Sequence, residues 1–397
     1  MLFPLSVATC LLNQYFRKVY RRQYEVHKSG IVVVTGASTG IGNHAAIALA
    51  QDGYQVYAGV RTEDEMLAIQ ALGVPTLKPL FLDVTKHGSC HSAVQFLEDA
   101  MQEMDLPLVA LVNNAGIMTT SPVEFHAMSD ARRVFNTNFF GVLDLVQLAL
   151  PALRKSNGRV VNVSSMVSIA APPLQGIYAA SKAAVEALTD SLRRELLPSG
   201  VAVSLIEPAY VATELLRSAS ASSPSAVSIV RVFRREHPTF DKSTPLGRFR
   251  WAVHRVILQN AVKNTTRRLD MMKQAANYRP SPSGQATDEH LSHKQLHRRE
   301  HHRRRVMRQK DRDVAEAKRM YSHLYSARVE REIAWNVSLA ETPACTTWAI
   351  RHAISSPTPR TRYPVSNAAG LPSWLLAYAF AFLPDRFVDS QLWPIHT

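Results

Sequence analysis

The run Ile31-Val32-Val33-Val34-Thr35-Gly36-Ala37-Ser38-Thr39-Gly40-Ile41-Gly42 decides the fold. Its β-branched opening does not alternate with polar residues, the composition of a strand covered on both faces. The strand gives way at once to a loop with glycine at positions 36, 40 and 42. A helical stretch follows from Asn43 to Gln51, with Ala46, Ile47, Leu49 and Ala50 on its apolar side. Gly53 closes that helix, and Gln55–Val60 predicts the next strand. Strand, glycine loop, helix and strand in this order predict a phosphate-binding turn. Glycine lets backbone approach a pyrophosphate, and the helix N-terminus supplies free amides and the positive end of its dipole. The spacing is G-x-x-x-G-x-G rather than the commoner G-x-G-x-x-G.

Outward from this loop, composition sets the bounds. The chain has 397 residues, 46% of them hydrophobic, and a formal net charge of +14. That apolar content excludes a chain disordered throughout. Its three cysteines, Cys10, Cys90 and Cys345, are odd in number and far apart. They make neither a disulfide framework nor a metal-ligand cluster, so a reducing compartment and no metal are expected. The charge is unevenly placed: residues 217–330 carry 25 Lys and Arg against 10 Asp and Glu, and the remainder is near neutral. The peak is HRREHHRRR at His297–Arg305. Low apolar periodicity and Ser/Pro-rich pieces make this stretch a basic insertion, expected to be disordered, in an otherwise neutral body. Its histidines between His290 and His302 lack the fixed spacing of a metal site. At the other end, Met1–Phe16 is mostly apolar but shorter than the roughly 20 residues a spanning helix needs. Arg17, Lys18, Arg21 and Arg22 follow it, the reverse of a secretory signal. A helix packed on the body or lying on a membrane surface is expected.

Further motifs follow in order. Asn113-Asn114-Ala115-Gly116 comes after the apolar run Leu108–Val112, and Asn138 precedes Gly141 by three. Val160–Ser165 reads VVNVSS, Tyr178–Lys182 reads YAASK, and Glu207-Pro208 leads to Thr213. Together with Thr35–Gly42 these resemble the short-chain dehydrogenase/reductase family: its TGxxxGIG loop, NNAG, N-x-x-G helix, serine-ended strand, YxxxK and PGxxxT segment. Ala209 departs from the usual glycine, and Ser168 replaces the glycine that often follows the paired serines. The resemblance implies an α/β fold, a doubly wound parallel sheet of the Rossmann type. It also implies hydride transfer between a nicotinamide cofactor and a carbonyl or alcohol carbon.

Tyr178 and Lys182 lie four apart, one above the other on a helix face. A neighbouring ammonium is expected to lower the phenol's pKa toward working pH, making Tyr178 a general acid/base. In isolation such a pair usually means a half-buried tyrosine beside a surface lysine. By resemblance, Ser165 polarises the substrate oxygen, Lys182 also binds the ribose, and Asn138 holds a relay water. Gly36, Ser38, Gly40, Ile41 and Gly42 would cradle the cofactor. Asn114, Ala115 and Gly116 would border it, as would Pro208, Val211 and Thr213, with Asp83 near the adenine. At the end of the second predicted strand, where an acidic residue would bind the ribose of NAD, stand Val60 and Arg61. A guanidinium pairs with a 2′-phosphate, and Ser38 would add a hydroxyl, so NADP(H) is favoured over NAD(H). Against this, Thr39 sits where a basic residue is often found, and Glu63 lies near.

Pro359–Val365 resembles the family's last strand, Glu341–Ile354 the helix before it, and Leu383-Pro384-Asp385-Arg386 its C-terminal segment. In that helix Ala344, Trp348, Ala349 and Ala353 supply the apolar side. The expected organisation is an N-terminal segment (1–29), a catalytic domain (30–216 and 331–397) and the insertion (217–330) at the substrate lid. Tyr210, Pro172, Pro173 and Leu174 would border an apolar substrate of steroid, retinoid or lipid type. The alternatives are a 3-oxoacyl or small-carbonyl reductase, and an idle scaffold that uses the basic insertion. The partners expected are a small-molecule carbonyl or alcohol and, optionally, a second copy of the chain. An anionic partner of the insertion, membrane or nucleic acid, is not favoured. The expected location is the cytoplasm or the periphery of an intracellular membrane.

Overall fold

Every residue of β1 (Ile31–Thr35) is buried, as a strand with helices on both faces requires. Alternate side chains serve opposite sides. Val32 and Val34 join one apolar cluster, and Ile31 and Val33 join another. Each such side chain contributes on the order of 2 kcal/mol by leaving water. The computed structural model describes residues 22–213, 215, 315–316, 319–321, 340–368, 371–373 and 375. The expected N-terminal helix at Met1–Phe16, its flank at Arg17, Lys18 and Arg21, nearly all of 217–330, and Leu383–Arg386 lie outside the described residues.

After β1 come α1 (Gly40–Gln51), β2 (Gln55–Val60), α2 (Glu63–Gln70), β3 (Leu77–Phe81) and α3 (His87–Met104). Then follow β4 (Leu108–Asn113), α4 (Met128–Phe135), a π-helical turn (Asn136–Phe140) and α5 (Gly141–Lys155). Next are β5 (Arg159–Val163), the short α6 (Val167–Ala170), α7 (Gly176–Glu195) and β6 (Ala202–Pro208). The described chain resumes with α8 (Ala344–Ser355) and β7 (Arg362–Val365). The strands form one sheet in the order β3-β2-β1-β4-β5-β6-β7, with every pair parallel. This is the expected doubly wound sheet. The order reverses between β1 and β4, and such a switch point opens a crevice at the carboxyl ends of the strands.

One cluster packs α1 and α8 on the sheet, through Ala45, Ala46, Leu49, Ala349, Ile350 and Ala353. The other packs α3, α5 and α7, through Leu97, Leu145, Leu153 and Leu192. The helix before the last strand stands where expected, with Ala349 and Ala353 inward. Ala344 and Trp348 depart from the expectation: four apart and so on one helix face, both are exposed, and Trp348 is tilted against His352.

At the amino end of β5, Arg159 is buried to 1% exposure. Its Nη2 donates to the carbonyls of Glu25 and Ser356, and its guanidinium lies 5.4 Å from the Tyr24 ring centroid. Residues just before β1 are thereby tied to the loop after α8. At the upper edge, Ala212 N donates to Glu341 O (2.9 Å) and Glu341 N donates to Tyr210 O (3.1 Å). The chain leaves the sheet after β6 and returns for α8 at the same place.

Candidate active site

The glycine loop is shaped by what a side chain would strike. Gly36 adopts φ +61°, and a Cβ there would meet Ala115 Cα at 2.8 Å. At Gly42 a Cβ would lie 2.4 Å from both Asn114 Nδ2 and Gly36 O. Backbone thus presses on backbone, forming a cradle that side chains would fill. Asn43 Nδ2 donates to Ala37 O (3.1 Å) and braces the turn. Thr39 caps α1 without a side-chain bond, and the first turn carries no acidic residue. Its amides, with those of Ser38, Gly40 and Ile41 nearby, remain suited to a phosphate. The Thr213 methyl lies 3.1 Å from where a Gly40 Cβ would stand, which brings the segment after β6 onto the loop. Val211 bridges to Glu341.

Thr35, not singled out from the sequence, ties this loop to the next strand. Its Oγ1 accepts from the amides of Asn114 (3.0 Å) and Ala115 (2.9 Å). Asn114 Nδ2 in turn donates to the carbonyls of Thr35 and Gly36. Its sequence signal was its place as the threonine that ends β1 and opens the glycine loop. A cavity of about 650 Å³ lies beside the loop, lined by Ser38, Thr39, Gly40, Asn43 and Thr213. None of Ser165, Tyr178 or Lys182 lines it.

Two predicted cofactor contacts lie further out. Arg61 is exposed at the end of β2, where Val60 is buried. The amide of Arg61 donates to Glu65 Oε2 (2.8 Å), and Thr62 caps α2, whose first turn holds Glu63, Asp64 and Glu65. Asp83 closes its own turn: Oδ1 accepts from Thr85 N and Thr85 Oγ1, and Lys86 pairs with Oδ2 at 3.3 Å. Burial opposes its charge, but these partners prevail and hold its pKa below the usual value.

The four predicted catalytic residues come together at the ends of β4 and β5. Lys182, 4% exposed, donates from Nζ to Val163 O at 2.8 Å. Nζ and Asn138 Oδ1 both lie 3.4 Å from where a Gly116 Cβ would stand. Asn138 is held on three sides: Oδ1 accepts from Ile117 N (2.8 Å), and Nδ2 donates to Ile117 O and Ser181 Oγ. It belongs to the π-helical turn, a widened helix segment frequent at functional sites. Ser165 Oγ donates to Pro208 O and accepts from Val167 N, both at 3.3 Å. Tyr178, one turn before Lys182, has its ring centroid 5.9 Å from Nζ. The turn above them is tight, with Ala171 and Leu174 in left-handed backbone (φ 40° and 68°).

The electrostatics correct one expectation. Burial pushes the Tyr178 phenol up to about 12, against its Ser165 hydrogen bond. Burial pulls Lys182 itself down to about 8, against the attraction of Glu186. Desolvation therefore outweighs the charge of the neighbour, and the phenol is held protonated at neutral pH.

Beyond these, Arg362 from β7 reaches three carboxylates: Glu207 (2.6 Å), Asp190 (2.9 Å) and Glu186 (3.1 Å). Even so, burial and the nearby Glu186 charge raise Glu207 to about 7. This cluster went unread in the sequence. Its signals were a glutamate four residues after Lys182 and an arginine in the closing strand.

The family model for short chain dehydrogenase matches residues 30–223. A 3-amino-tetrahydro-pyrrolizinone reductase of Xenorhabdus hominickii is 39% identical over 184 residues, covering 46% of this chain and 62% of that protein. The mitochondrial D-beta-hydroxybutyrate dehydrogenase of Rattus norvegicus is 34% identical over 196 residues, 48% of this chain and 57% of that protein. The chain thus spans about three-fifths of these two relatives. Bos taurus 17-beta-hydroxysteroid dehydrogenase type 6 matches further, 33% identical over 265 residues, 66% of this chain and 81% of that protein.

Proposed function

The chain belongs to the short-chain dehydrogenase family, and on that footing we propose that it is an NAD(P)-dependent oxidoreductase acting on a CH–OH or C=O carbon. The observation that carries this reading is the meeting of Ser165, Tyr178 and Lys182 beside a glycine cradle with no room for side chains. A nicotinamide cofactor, when bound, supplies or accepts the hydride. Gly36, Gly40 and Gly42 would hold its phosphates, and Asn114, Ala115, Gly116, Pro208, Val211 and Thr213 would contribute to its binding. Tyr178, protonated at neutral pH, gives its phenolic proton to the carbonyl oxygen in reduction. Ser165 orients that oxygen by a hydrogen bond. Lys182 binds ribose and steadies the phenolate left behind, and Asn138 anchors the water that returns the proton.

NADP(H) is the cofactor of this reading. Its support is the apolar Val60 at the end of β2, with the exposed guanidinium of Arg61 next to it. The substrate is apolar, of steroid, retinoid or lipid type. The turn Pro172–Leu174 and the partly buried Tyr210 support this, as does the likeness to a relative named for a hydroxysteroid. Residues 217–330 form an insertion at the substrate lid, a reading supported by the pairing of Tyr210 and Ala212 with Glu341. Among the described residues no helix is long and apolar enough to cross a membrane. We place the protein in the cytoplasm or at the periphery of an intracellular membrane.

The test is cofactor oxidation with NADPH and with NADH across hydrophobic ketones and small polar sugars. Faster turnover of the ketones with NADPH is expected. Turnover confined to sugars overturns the substrate class, and equal use of NADH overturns the cofactor preference.

A further inference from the structure

Ser164 and Ser168 flank the reacting serine, and both turn their hydroxyls to one carboxylate. Glu186 Oε1 accepts from Ser164 Oγ at 2.9 Å and also from Ser168 Oγ. Ser168 Oγ additionally reaches Ser165 O at 2.5 Å. Glu186 stands one turn after Lys182 on α7, and Ser164 Oγ lies 3.2 Å from the Lys182 carbonyl. The other oxygen, Oε2, accepts from Arg362 Nη1 at 3.1 Å. One side chain, 12% exposed, therefore touches the turn carrying Ser165, the helix carrying Lys182 and the strand that closes the sheet. Ser168 stands where glycine is usual, so its hydroxyl is an added bond to this carboxylate.

We propose that Glu186 is a positioning residue of the reaction, holding the Ser164–Ser168 turn in register with α7 and balancing the Lys182 ammonium, while Arg362 keeps it in place. The inference rests on the hydride-transfer reading above. The charged groups around Glu186 are Lys182 and Asp190 on its own helix, Glu207 on β6 and Arg362 on β7. Arg362 neutralises part of an acidic surplus, which leaves negative charge available to Lys182. The Glu186 charge works to keep Lys182 protonated against burial.

Glu186→Gln keeps an acceptor for the serines and removes the charge. It is expected to lower kcat about tenfold with the cofactor KM nearly unchanged, and to move the Lys182 ionisation to lower pH. The shift is read in the pH–rate profile and, without turnover, by 13C-lysine NMR titration with Lys182→Met as the assignment control. Ser168→Ala retains the charge and is expected to cost about threefold in kcat with the profile unmoved. A Glu186→Gln protein whose kcat and Lys182 titration both match wild type overturns the proposal. If that variant does not fold, wild-type kcat in Ser168→Ala overturns it instead. Tyr178→Phe run in parallel separates the two readings. Retained turnover there refutes Tyr178 as the proton donor of that reading, while the NMR titration still decides the role of Glu186.

Discussion

Around Gly36 and Gly42 the chain comes together backbone on backbone, with no space for a Cβ and no acidic residue in the helix turn that follows. Around Tyr178 and Lys182 the fold buries a phenol, an ammonium and Glu207, one of the three carboxylates joined by Arg362. The first region is specified by steric exclusion, so its chemistry resides in peptide groups that need no ionisation. The second is specified by desolvated charges, so its chemistry depends on pH. Thr35 Oγ1, bonded to the amides of Asn114 and Ala115, is the joint between them.

The contrast breaks most sharply at Gly42. Gly42→Val places a Cβ 2.4 Å from Gly36 O, and NADPH affinity is expected to fall more than ~100-fold. Fluorescence titration of the cofactor reads this, and an unchanged Kd would remove the steric account of the loop. The catalytic region should respond to pH instead. Because Lys182 sits near 8 and Tyr178 near 12, carbonyl reduction should decline above pH ~8 through loss of the ammonium, about tenfold per pH unit. In Lys182→Arg, a slower enzyme whose guanidinium stays charged, that limb should disappear. A limb that persists assigns the ionisation elsewhere.

The smallest effect concerns stability. Glu207 has its folded pKa raised to about 7 from 4.5. The folded state therefore binds the extra proton, and stability is greatest below the unfolded value and is lost as pH rises through about 7. Thermal melts should fall by a few degrees between mildly acidic and mildly alkaline buffer, and Glu207→Gln should flatten that fall. A Tm that rises over this window would place the linked group elsewhere.

How far the sequence reaches differs between the same two regions. The glycine loop was legible because steric demands act on adjacent residues, so Gly36, Gly40 and Gly42 carry their reason within a single turn. The last strand was legible across a long interruption through the likeness of Pro359–Val365 to the family's closing strand, and it pairs with β6. Spacing put Tyr178 and Lys182 on one helix face, while their roles and that of Ser165 were legible by family resemblance. What escaped was the environment that sets their protonation. Helical adjacency put an ammonium beside the phenol, but burial, which acts through the whole packed fold, outweighs it. The Glu186–Arg362 pair spans 176 residues, and no periodicity marks such a contact.

Deuteride tracing tests the central claim most directly. NADPH carrying deuterium at nicotinamide C4 would be turned over with a hydrophobic ketone by the wild type and by Tyr178→Phe. The wild type should deliver deuterium to the new carbinol carbon. The variant should bind NADPH as before and lose turnover by a factor of about 1,000. Absence of label from the wild-type product, or undiminished turnover in Tyr178→Phe, would contradict the account.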